Sequence, residues 1–249
     1  MAELDEVTEF KETQFSKLSV VIPAFNEGKT IATVVENVFS ADALNLSIEV
    51  IVVDDQSDDS TLERLKELEQ KTPKLVIERH KINLGKGASL RTGFAKCTGE
   101  IVLVQDADLE YDPKDYPNLL RPILGGKADV VYGSRFRSSC ETRVLYFWHR
   151  VANGFLTLFS NMFTNLNLTD METGYKVFRK DMLDQIVLHE DRFGIEPEIT
   201  AKIARVPNIR IYETGISYSG RTYEEGKKIG LKDGFRAIYA IVKYGFFCR

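Results

Sequence analysis

Hydrophobic residues recur along the chain in two alternating patterns. Short runs that are apolar at nearly every position predict strands covered on both faces. These runs are residues 18–25, 48–53, 75–79, 101–105 and 130–132. The segments between them have amphipathic helical spacing, at residues 29–39, 61–71, 88–96 and 114–124. Buried strands joined by helices predict an α/β domain with a mostly parallel, Rossmann-like sheet sandwiched by helices. Ligands of such sheets bind beyond the carboxyl ends of the strands.

The pattern changes from about residue 145. An aromatic-rich segment, residues 144–168, carries Phe155, Phe159 and Phe163 at every fourth position, which gives one apolar stripe. Shorter elements follow, with strands predicted near residues 176–178 and 209–214 and helices predicted near 196–205 and 230–247. We see no linker or repeat, so the chain is predicted to be one domain, residues 18–249, after a polar tail, residues 1–17.

Composition narrows the function classes. The 249 residues include 33 Lys plus Arg and 37 Asp plus Glu, for a net charge of −4. This mild acidity argues against a broad nucleic-acid-binding surface, which requires a basic face. The three cysteines, Cys97, Cys140 and Cys248, form no paired motif, and a cytoplasmic setting is predicted. We find no secretory signal and no uninterrupted run of about 20 apolar residues, but the 144–168 segment can lie on a membrane surface.

Acidic residues follow two of the predicted strands. Asp106, Asp108 and Glu110 stand at every second position after residues 101–104. Alternate residues of an extended chain share a face, so these carboxylates can converge on Mg²⁺ or Mn²⁺. A solvated acidic turn explains the same pattern about equally well.

The second cluster spans residues 54–61. Helix capping explains Asp58, Asp59 and Ser60, and Ser60 with Glu63 forms a capping-box pattern. Capping does not explain Asp54 and Asp55, and the sequence predicts a polar ligand, such as a nucleoside, for that pair.

Seven motifs stand in register along the chain. They are residues 23–27, the series Asp54, Asp55, Ser57, Asp59 and Thr61, then residues 85–87, 106–110, 133–135, 169–178 and 220–228. In order and spacing they resemble the family-two glycosyltransferases of the GT-A fold. The likeness is strongest to the dolichol- or polyprenyl-phosphate hexose synthases, and it covers nearly everything after the tail.

The resemblance implies a nucleotide-sugar donor bound by residues 18–135 and an acceptor bound by residues 136–249. It implies that the donor contacts Pro23, Phe25, Glu27, Val53, Asp55, Ser57, Lys86 and Asp106. It also implies that Asp106, Asp108 and Glu110 hold Mg²⁺ or Mn²⁺ against the diphosphate. The family often has Tyr where this chain has Phe25 and Gln where it has Glu110, which bears on base and metal preference.

The acceptor determines what else the site needs. A lipid phosphate is already anionic at neutral pH, so it needs cations and no general base. Candidates for contacting it are Arg135, Arg150, Arg221, Lys227 and Lys228. A solvated helix face for Arg150 and a solvated loop for the two lysines are the alternative explanations.

Three functions stay open at this point. The leading hypothesis is a metal-dependent, inverting transfer of hexose from GDP-mannose or UDP-glucose to a polyprenyl or dolichyl phosphate. The alternative is a family-two enzyme that acts on a sugar hydroxyl or another soluble acceptor, with Asp170 or Glu172 as the base. The third is a catalytically inactive nucleotide-sugar-binding subunit. Relatives with this resemblance often continue into transmembrane helices, whereas this chain is expected to resemble the soluble or peripheral subgroup. It is therefore expected to be cytoplasmic and peripheral on the membrane, as a homo-oligomer or with a membrane partner subunit.

Overall fold

A computed structural model describes residues 15–137, 141–144, 146–222 and 231–246, with side chains from residue 234 onward in the last range. The strands are β1 (Lys17–Ala24), β2 (Ser47–Asp54), β3 (Leu75–Arg79), β4 (Ile101–Val104), β5 (Val130–Ser134), β6 (Lys176–Arg179) and β7 (Ile211–Gly215). The α-helices are α1 (Ile31–Phe39), α2 (Thr61–Glu69), α3 (Lys86–Phe94), α4 (Tyr116–Leu124), α5 (Phe147–Thr164), α6 (Lys180–Leu183), α7 (Ile195–Ile203) and α8 (Leu231–Phe246). A 3₁₀ turn at Pro113–Asp115 leads into α4.

These strands form one seven-stranded sheet in the order β3-β2-β1-β4-β6-β5-β7. The pairs β1–β2, β2–β3, β1–β4 and β5–β7 are parallel, whereas β6 lies antiparallel between β4 and β5. The strands β1, β2, β4 and β5 therefore end at the same edge of the sheet. That shared edge is where the loops that carry the sequence motifs meet.

Helices cover both faces of the sheet. Alternate residues of β4 point to opposite sides: Leu103 joins a core with α1, α2 and α4, while Val102 joins a core with α3 and α7. The strands β1, β2, β4, β5 and β6 are almost completely buried for this reason, which matches their apolar sequence at successive positions. The edge strands β3 and β7 are partly exposed, so the prediction that residues 75–79 are covered on both faces is wrong. The prediction of a helix-covered, mostly parallel α/β domain is confirmed.

One local prediction is wrong. Ser60 lies at the N-cap of α2, but its side chain makes no capping hydrogen bond. Asp59 does this instead, since its carboxylate accepts from the Thr61 amide at 2.9 Å. The same carboxylate accepts from the Gly28 amide at 2.9 Å, so Asp59 connects the loops that follow β1 and β2.

Unusual backbone conformations mark the loops at the carboxyl edge. Asn26 after β1, Gln56 after β2 and Leu109 after β4 all have positive φ, at 53°, 62° and 60°. Asn tolerates this region, but Leu109 pays about 1 kcal/mol or more for it. Strain of this kind persists where the surroundings fix the backbone, and such places are often functional.

An apolar surface extends over α5 and α8. On α5, Trp148, Phe155 and Met162 are 74%, 56% and 72% exposed, and on α8 Phe235 is 73% exposed. The two helices pack together, and the rings of Phe163 and Phe246 lie 4.7 Å apart. Within the described ranges, no helix combines the length and apolar character needed to cross a bilayer.

Candidate active site

A cleft of about 450 Å³ opens at the carboxyl edge of the sheet. Its walls come from the loops after β1, β2, β4 and β5, from α3, and from the segments before β6, α7 and α8. The lining includes Pro23, Phe25, Glu27, Asp55, Asn83, Lys86, Asp106, Asp108, Glu110, Tyr111, Arg135, Glu172, Arg192, Phe193, Glu196, Tyr218 and Arg221. Residues that are up to about 200 positions apart in the sequence thus share one cavity.

Asp106 is held from two sides. Its carboxylate lies 2.9 Å from Lys86 Nζ, and Lys86 also lies 3.1 Å from the carboxylate of Glu196. Behind it, the buried Gln105 side chain donates to the Asp106 carbonyl at 3.0 Å. Gly174 packs so closely on the Asp106 carboxylate that a Cβ atom there would clash. The direction of the Asp106 side chain is therefore fixed by its neighbours.

Asp108 and Glu110 gather around Arg221. The guanidinium lies 3.0 Å from Asp108 and 3.5 Å from Glu110, and it is also 3.4 Å from Glu27. Glu110 further accepts from the Arg221 amide at 2.7 Å and from the Tyr218 hydroxyl at 2.8 Å. Burial, followed by the charges of Asp106 and Glu110, raises the pKa of Asp108 to about 7 although Arg221 opposes the shift.

These carboxylates have the chemistry of a cation site. Asp106 and Asp108 present oxygen ligands to the cleft, with Glu110 beside them. Among the residues with described positions, no group of three or more His, Cys, Asp or Glu side chains is arranged to hold a metal ion, so the set of Asp106, Asp108 and Glu110 does not form a three-carboxylate site. A metal at this place would need oxygen ligands from a bound molecule, as Mg²⁺ usually takes.

The expectation that both Asp54 and Asp55 need an external ligand is wrong for Asp54. That carboxylate is buried, pairs with Arg79 at 3.0 Å and accepts from the Ser57 amide at 3.0 Å. Asp55 borders the cleft, but it also accepts from the Leu84 and Gly85 amides at 2.9 and 2.6 Å. Asp55 therefore fixes the loop that begins α3 and carries Lys86.

A histidine without a predicted role supports this loop. His80 Nδ1 lies 2.7 Å from Asp55, and its Nε2 lies 2.9 Å from the Thr92 hydroxyl. Gly85 has φ of +104° and its Cα faces the carbonyl of Asp191, so other residue types are disfavoured there by both backbone and space. The scattered sequence positions of the histidines gave no sign of this contact.

The other predicted donor residues divide into two groups. Pro23, Phe25 and Glu27 lie on the cleft wall. Val53 is fully buried inside β2, and Ser57 is 4% exposed, with its hydroxyl accepting from the Asn26 amide at 2.9 Å. The structure thus gives Val53 and Ser57 supporting positions behind the cleft.

Arg135 forms a two-pronged pair with Asp170. Its Nε and Nη2 atoms each donate to the Asp170 carboxylate at 2.7 Å, and its backbone amide donates at 3.0 Å. Asp170 is fully buried, and both of its oxygens are engaged. The structure therefore makes Asp170 the residue that orients Arg135, which faces the cleft, and does not favour Asp170 as a base.

The remaining predicted cations do not share the position of Arg135. Arg150 is exposed on α5, with its guanidinium 4.9 Å from the centre of the Phe136 ring. Lys227 and Lys228 lie outside the described residues. Arg221 is in the cleft, but it is paired with the acidic group there.

Several residues of the cleft wall were not predicted from the sequence. Glu196 in α7 is buried and pairs with Lys176 as well as with Lys86. The rings of Tyr111 and Tyr218 contact each other in a tilted arrangement, with 5.3 Å between ring centres, and the Tyr111 hydroxyl accepts from the Gly174 amide at 2.9 Å. The one available signal was a pair of glutamates, Glu196 and Glu198, inside an otherwise apolar helix.

The family of the chain follows from comparison with known proteins. The profile of glycosyl transferase family 2 matches residues 19–187, which is more than half of the chain. The chain therefore belongs to glycosyl transferase family 2, as its motifs predicted.

Curated relatives include three transferases of lipid-linked sugars. A dolichol-phosphate mannosyltransferase of Pyrococcus furiosus is 29% identical over 92% of this chain and 64% of its own length. A dodecaprenyl-phosphate galacturonate synthase of Rhizobium johnstonii is 27% identical over 95% of this chain and 68% of its own length. A UDP-N-acetylglucosamine–dolichyl-phosphate N-acetylglucosaminyltransferase of Methanococcus voltae is 27% identical over 90% of this chain and 94% of its own length. The chain thus spans somewhat less than two thirds of the first of these relatives.

Solved structures support the fold. A glucosyl-3-phosphoglycerate synthase of Mycobacterium tuberculosis, in complex with Mn²⁺, UDP and phosphoglyceric acid, matches with a TM-score of 0.69 at 20% identity. The match covers 93% of this chain and 79% of that one. The same enzyme with Mn²⁺, UDP-glucose and phosphoglyceric acid gives a TM-score of 0.72. The predicted GT-A architecture is confirmed.

Proposed function

We propose that this protein is a metal-dependent, inverting glycosyltransferase that moves a hexose from a nucleotide sugar to a polyprenyl or dolichyl phosphate. The observation that carries the proposal is that one cleft has an acidic end, Asp106 and Asp108, and a cationic side chain, Arg135. The named activities of the curated relatives agree with this chemistry, since each concerns a lipid-linked phosphate.

The nucleotide end of the donor would lie against the loops after β1 and β2. Phe25 is 38% exposed there and offers an apolar surface for a base or ribose. Pro23, Glu27 and Asp55 border the same part of the cleft. GDP-mannose and UDP-glucose are the donors to compare first, because the lining does not distinguish between the two bases.

The residues present fit a divalent cation. Asp106 and Asp108 would hold Mg²⁺ or Mn²⁺, and diphosphate oxygens would complete its ligand shell. When bound, the ion would supply charge neutralisation at the leaving diphosphate. Lys86 fixes Asp106, while Arg221 and Tyr218 fix Glu110, so the chain holds the carboxylates in place before the donor arrives.

Arg135 is the proposed contact for the acceptor phosphate. Asp170 holds its guanidinium from behind through two hydrogen bonds, which leaves the remaining N–H groups for an anion. The guanidinium of Arg135 would provide positive charge at the place where a phosphate oxygen attacks the anomeric carbon. The phosphate is its own nucleophile, and the buried position of Asp170 agrees with a reaction that needs no general base.

The apolar surface of α5 and α8 is the proposed contact with the membrane. The sequence of α5 contains no acidic residue, and that of α8 contains three basic residues and one acidic residue. Exposed Trp148 and Phe235 suit the apolar boundary of a bilayer, and the basic residues suit anionic headgroups. This surface would bring the cleft to a lipid acceptor without a spanning helix.

The test is direct. The protein is incubated with Mn²⁺, a panel of labelled GDP- and UDP-sugars and purified dolichyl or undecaprenyl phosphate. We expect label to enter an organic-soluble product that mild acid releases. Transfer to a soluble sugar or phosphorylated acid, with none to lipid, would favour the soluble-acceptor alternative. Nucleotide binding without any transfer would favour an inactive binding subunit.

Membrane attachment is tested separately. Vesicles of zwitterionic lipid, with and without 30% anionic lipid, are mixed with the protein and sedimented. We expect sedimentation that increases with anionic lipid and is lost when Trp148 and Phe155 are both changed to Ser. Equal recovery of the double variant with the vesicles would contradict the surface assignment.

A further inference from the structure

One carboxylate of the cleft has no partner in the described part of the chain. Five buried side-chain atoms there make no hydrogen bond: Asp54 Oδ2, Glu172 Oε1, Thr173 Oγ1, Glu196 Oε1 and Arg221 Nε. Asp54, Glu196 and Arg221 nevertheless belong to ion pairs, at 3.0, 3.1 and 3.5 Å. Of the other two residues, Glu172 borders the cleft.

Glu172 is half-buried, and its buried Oε1 atom makes no hydrogen bond. Leaving a buried polar atom without a hydrogen bond destabilises the folded protein, and more so if the group is charged. Burial, followed by the negative charge of Glu196, raises the pKa of Glu172 to about 7, while Lys176 and Arg135 oppose the shift. A side chain that destabilises the free protein in this way is explained most simply by a ligand that supplies the missing partner.

The position of Glu172 indicates which part of the substrates it meets. Two residues before it, Asp170 holds Arg135, the proposed contact of the acceptor phosphate. Two residues after it, Gly174 packs on Asp106, the proposed ligand of the metal and diphosphate. In any transfer, the migrating sugar lies between the leaving diphosphate and the attacking acceptor. In the sequence, Glu172 likewise stands between Asp170, which holds the proposed acceptor contact, and Gly174, which packs on the proposed metal ligand.

The charges around Glu172 indicate the chemistry of its partner. Asp170 and Glu196 would repel an anion, whereas Arg135 and Lys176 would repel a cation. A neutral hydroxyl group is repelled neither by the acidic pair nor by the basic pair. It can also donate to a carboxylate or accept from a protonated carboxyl group.

We propose that Glu172 recognises the transferred sugar by a hydrogen bond to one of its ring hydroxyl groups. This inference rests on the proposed function, because it assumes a nucleotide-sugar donor. It makes Glu172 a specificity-determining residue of the donor site, in a role separate from the base considered for a soluble acceptor. Sites that hydrogen-bond a substrate hydroxyl discriminate strongly against analogues that lack it.

The test compares sugar nucleotides with the matching free diphosphates. Calorimetry with Mn²⁺ gives the affinity of wild-type protein, Glu172→Ala and Glu172→Gln for UDP, GDP, UDP-glucose and GDP-mannose. We expect Glu172→Ala to weaken binding of the preferred sugar nucleotide about tenfold or more. Binding of the diphosphate should change less than threefold. Glu172→Gln keeps a hydrogen-bonding group and should restore part of the sugar affinity.

Deoxy analogues of the sugar identify the hydroxyl. For the analogue that lacks the recognised group, wild-type protein and Glu172→Ala should bind equally well, because the contact is absent from both. The ratio of affinities for two sugar nucleotides that are epimers at that carbon should also decrease in Glu172→Ala. An unchanged ratio of sugar-nucleotide to diphosphate affinity, or equal losses for every analogue, would overturn the assignment.

The melting temperature gives an independent test of the role assigned to Glu172. Because Glu172 lacks a partner, Glu172→Gln should melt at or above the wild-type temperature. Glu198→Gln is the control: Glu198 is more deeply buried than Glu172, and it accepts from the His189 and Glu190 amides at 2.8 and 2.7 Å and pairs with Lys202 at 2.5 Å. That variant should lose stability and keep the wild-type affinity ratio. A stability loss in Glu172→Gln similar to that of the control would indicate a structural role and overturn the proposal.

The two proposals fail in different ways. If the wild-type protein transfers sugar to a soluble acceptor and not to lipid, the proposed acceptor is wrong, but the affinity ratios still decide the role of Glu172. If transfer to lipid occurs and the ratios do not change, the role of Glu172 alone is wrong. If wild-type protein binds no sugar nucleotide, both proposals fall.

Discussion

Carboxylates at the two edges of the sheet have opposite surroundings. At the amino edge, Glu49 of β2 accepts from Ser19, from the amide and hydroxyl of Thr98, and from Lys17. Burial raises its pKa, but these hydrogen bonds outweigh burial and lower the pKa to about 2. At the carboxyl edge, the pKa of Asp108 is raised to about 7. Burial raises the pKa of both carboxylates and is the largest cause of the rise at Asp108, but only at Glu49 do hydrogen bonds outweigh it.

The difference lies in the partners that the protein provides. At the amino edge the chain satisfies each acid with hydrogen-bond donors, so the acids stabilise the fold. At the carboxyl edge, Asp54, Asp55 and Asp170 are satisfied in the same way, whereas Asp108 and Glu110 lie beside each other with Arg221 as their shared cation. Such crowding lowers the stability of the free protein and leaves a field that a bound cation can neutralise. The contrast distinguishes acids that stabilise the fold from those proposed to bind the metal more clearly than sequence position does.

The largest expected effect is on Asp106. Asp106→Asn keeps the volume of the side chain but removes its charge, so we expect transfer to fall about 1000-fold or more. The fold should remain intact, because removing one of several crowded acids relieves repulsion. Turnover assays and thermal melting check both statements. Asp58→Asn, on an exposed acid of the neighbouring loop, is the control. Near-normal turnover of Asp106→Asn would refute the proposed metal site.

The next prediction concerns ligand-linked stability. Mn²⁺ together with UDP or GDP should raise the melting temperature, and a ligand at 100 times its Kd adds about 2.7 kcal/mol. In Asp108→Asn this stabilisation should shrink strongly, although the free variant should be at least as stable as wild type above pH 7. A melting series with and without Mn²⁺ and nucleotide measures both quantities. Equal stabilisation of wild type and variant would show that Asp108 does not contribute to the site.

Removing the charge of Glu49 should lower the stability of the free protein, in contrast to the same change at Asp108. Its folded pKa of about 2 lies below the ordinary value of 4.5, so its stabilisation is present above pH 4.5 and is lost as the pH falls toward 2. Glu49→Gln should cost about 2 kcal/mol at pH 7 and progressively less in acid. Denaturant unfolding at pH 3 to 7 measures this. A penalty that does not change with pH would argue against a charged role for Glu49.

The sequence predicts the first half of the fold better than the site. Apolar runs placed β1, β2, β4 and β5, because strands buried on both faces have an unmistakable composition. The acids after β4 were found for the same reason, since the end of a buried strand is easy to locate. The motif resemblance supplied the family.

What escaped prediction depends on contacts between distant segments. Nothing near Asp54 in the sequence indicates that Arg79 neutralises it, or that His80 supports Asp55. Glu196 reaches the cleft because α7 packs on the sheet beside α3, across more than 100 residues of chain. Local patterns carry no information about such pairs, so a charge that is satisfied by a distant partner looks the same as one that awaits a ligand.

Two arginine–aspartate pairs allow the smallest and most specific test of the comparison. Arg210 at the amino edge grips Asp129 as Arg135 grips Asp170, with side-chain hydrogen bonds of 2.9 and 2.7 Å and a backbone hydrogen bond of 3.0 Å. Lysine cannot form the two-pronged contact, so Arg135→Lys and Arg210→Lys should each lower stability by about 1 kcal/mol or more.

Their effects on activity should differ, because only Arg135 of this pair borders the cleft. We expect Arg135→Lys to lower kcat/KM for the lipid phosphate about tenfold, which corresponds to about 1.4 kcal/mol, and Arg210→Lys to leave it within twofold. Binding of UDP or GDP with Mn²⁺ should be nearly unchanged in both. If both variants lost activity in proportion to their loss of stability, Arg135 would be a structural residue like Arg210, and the proposed contact with the acceptor phosphate would have to move to another cation of the cleft.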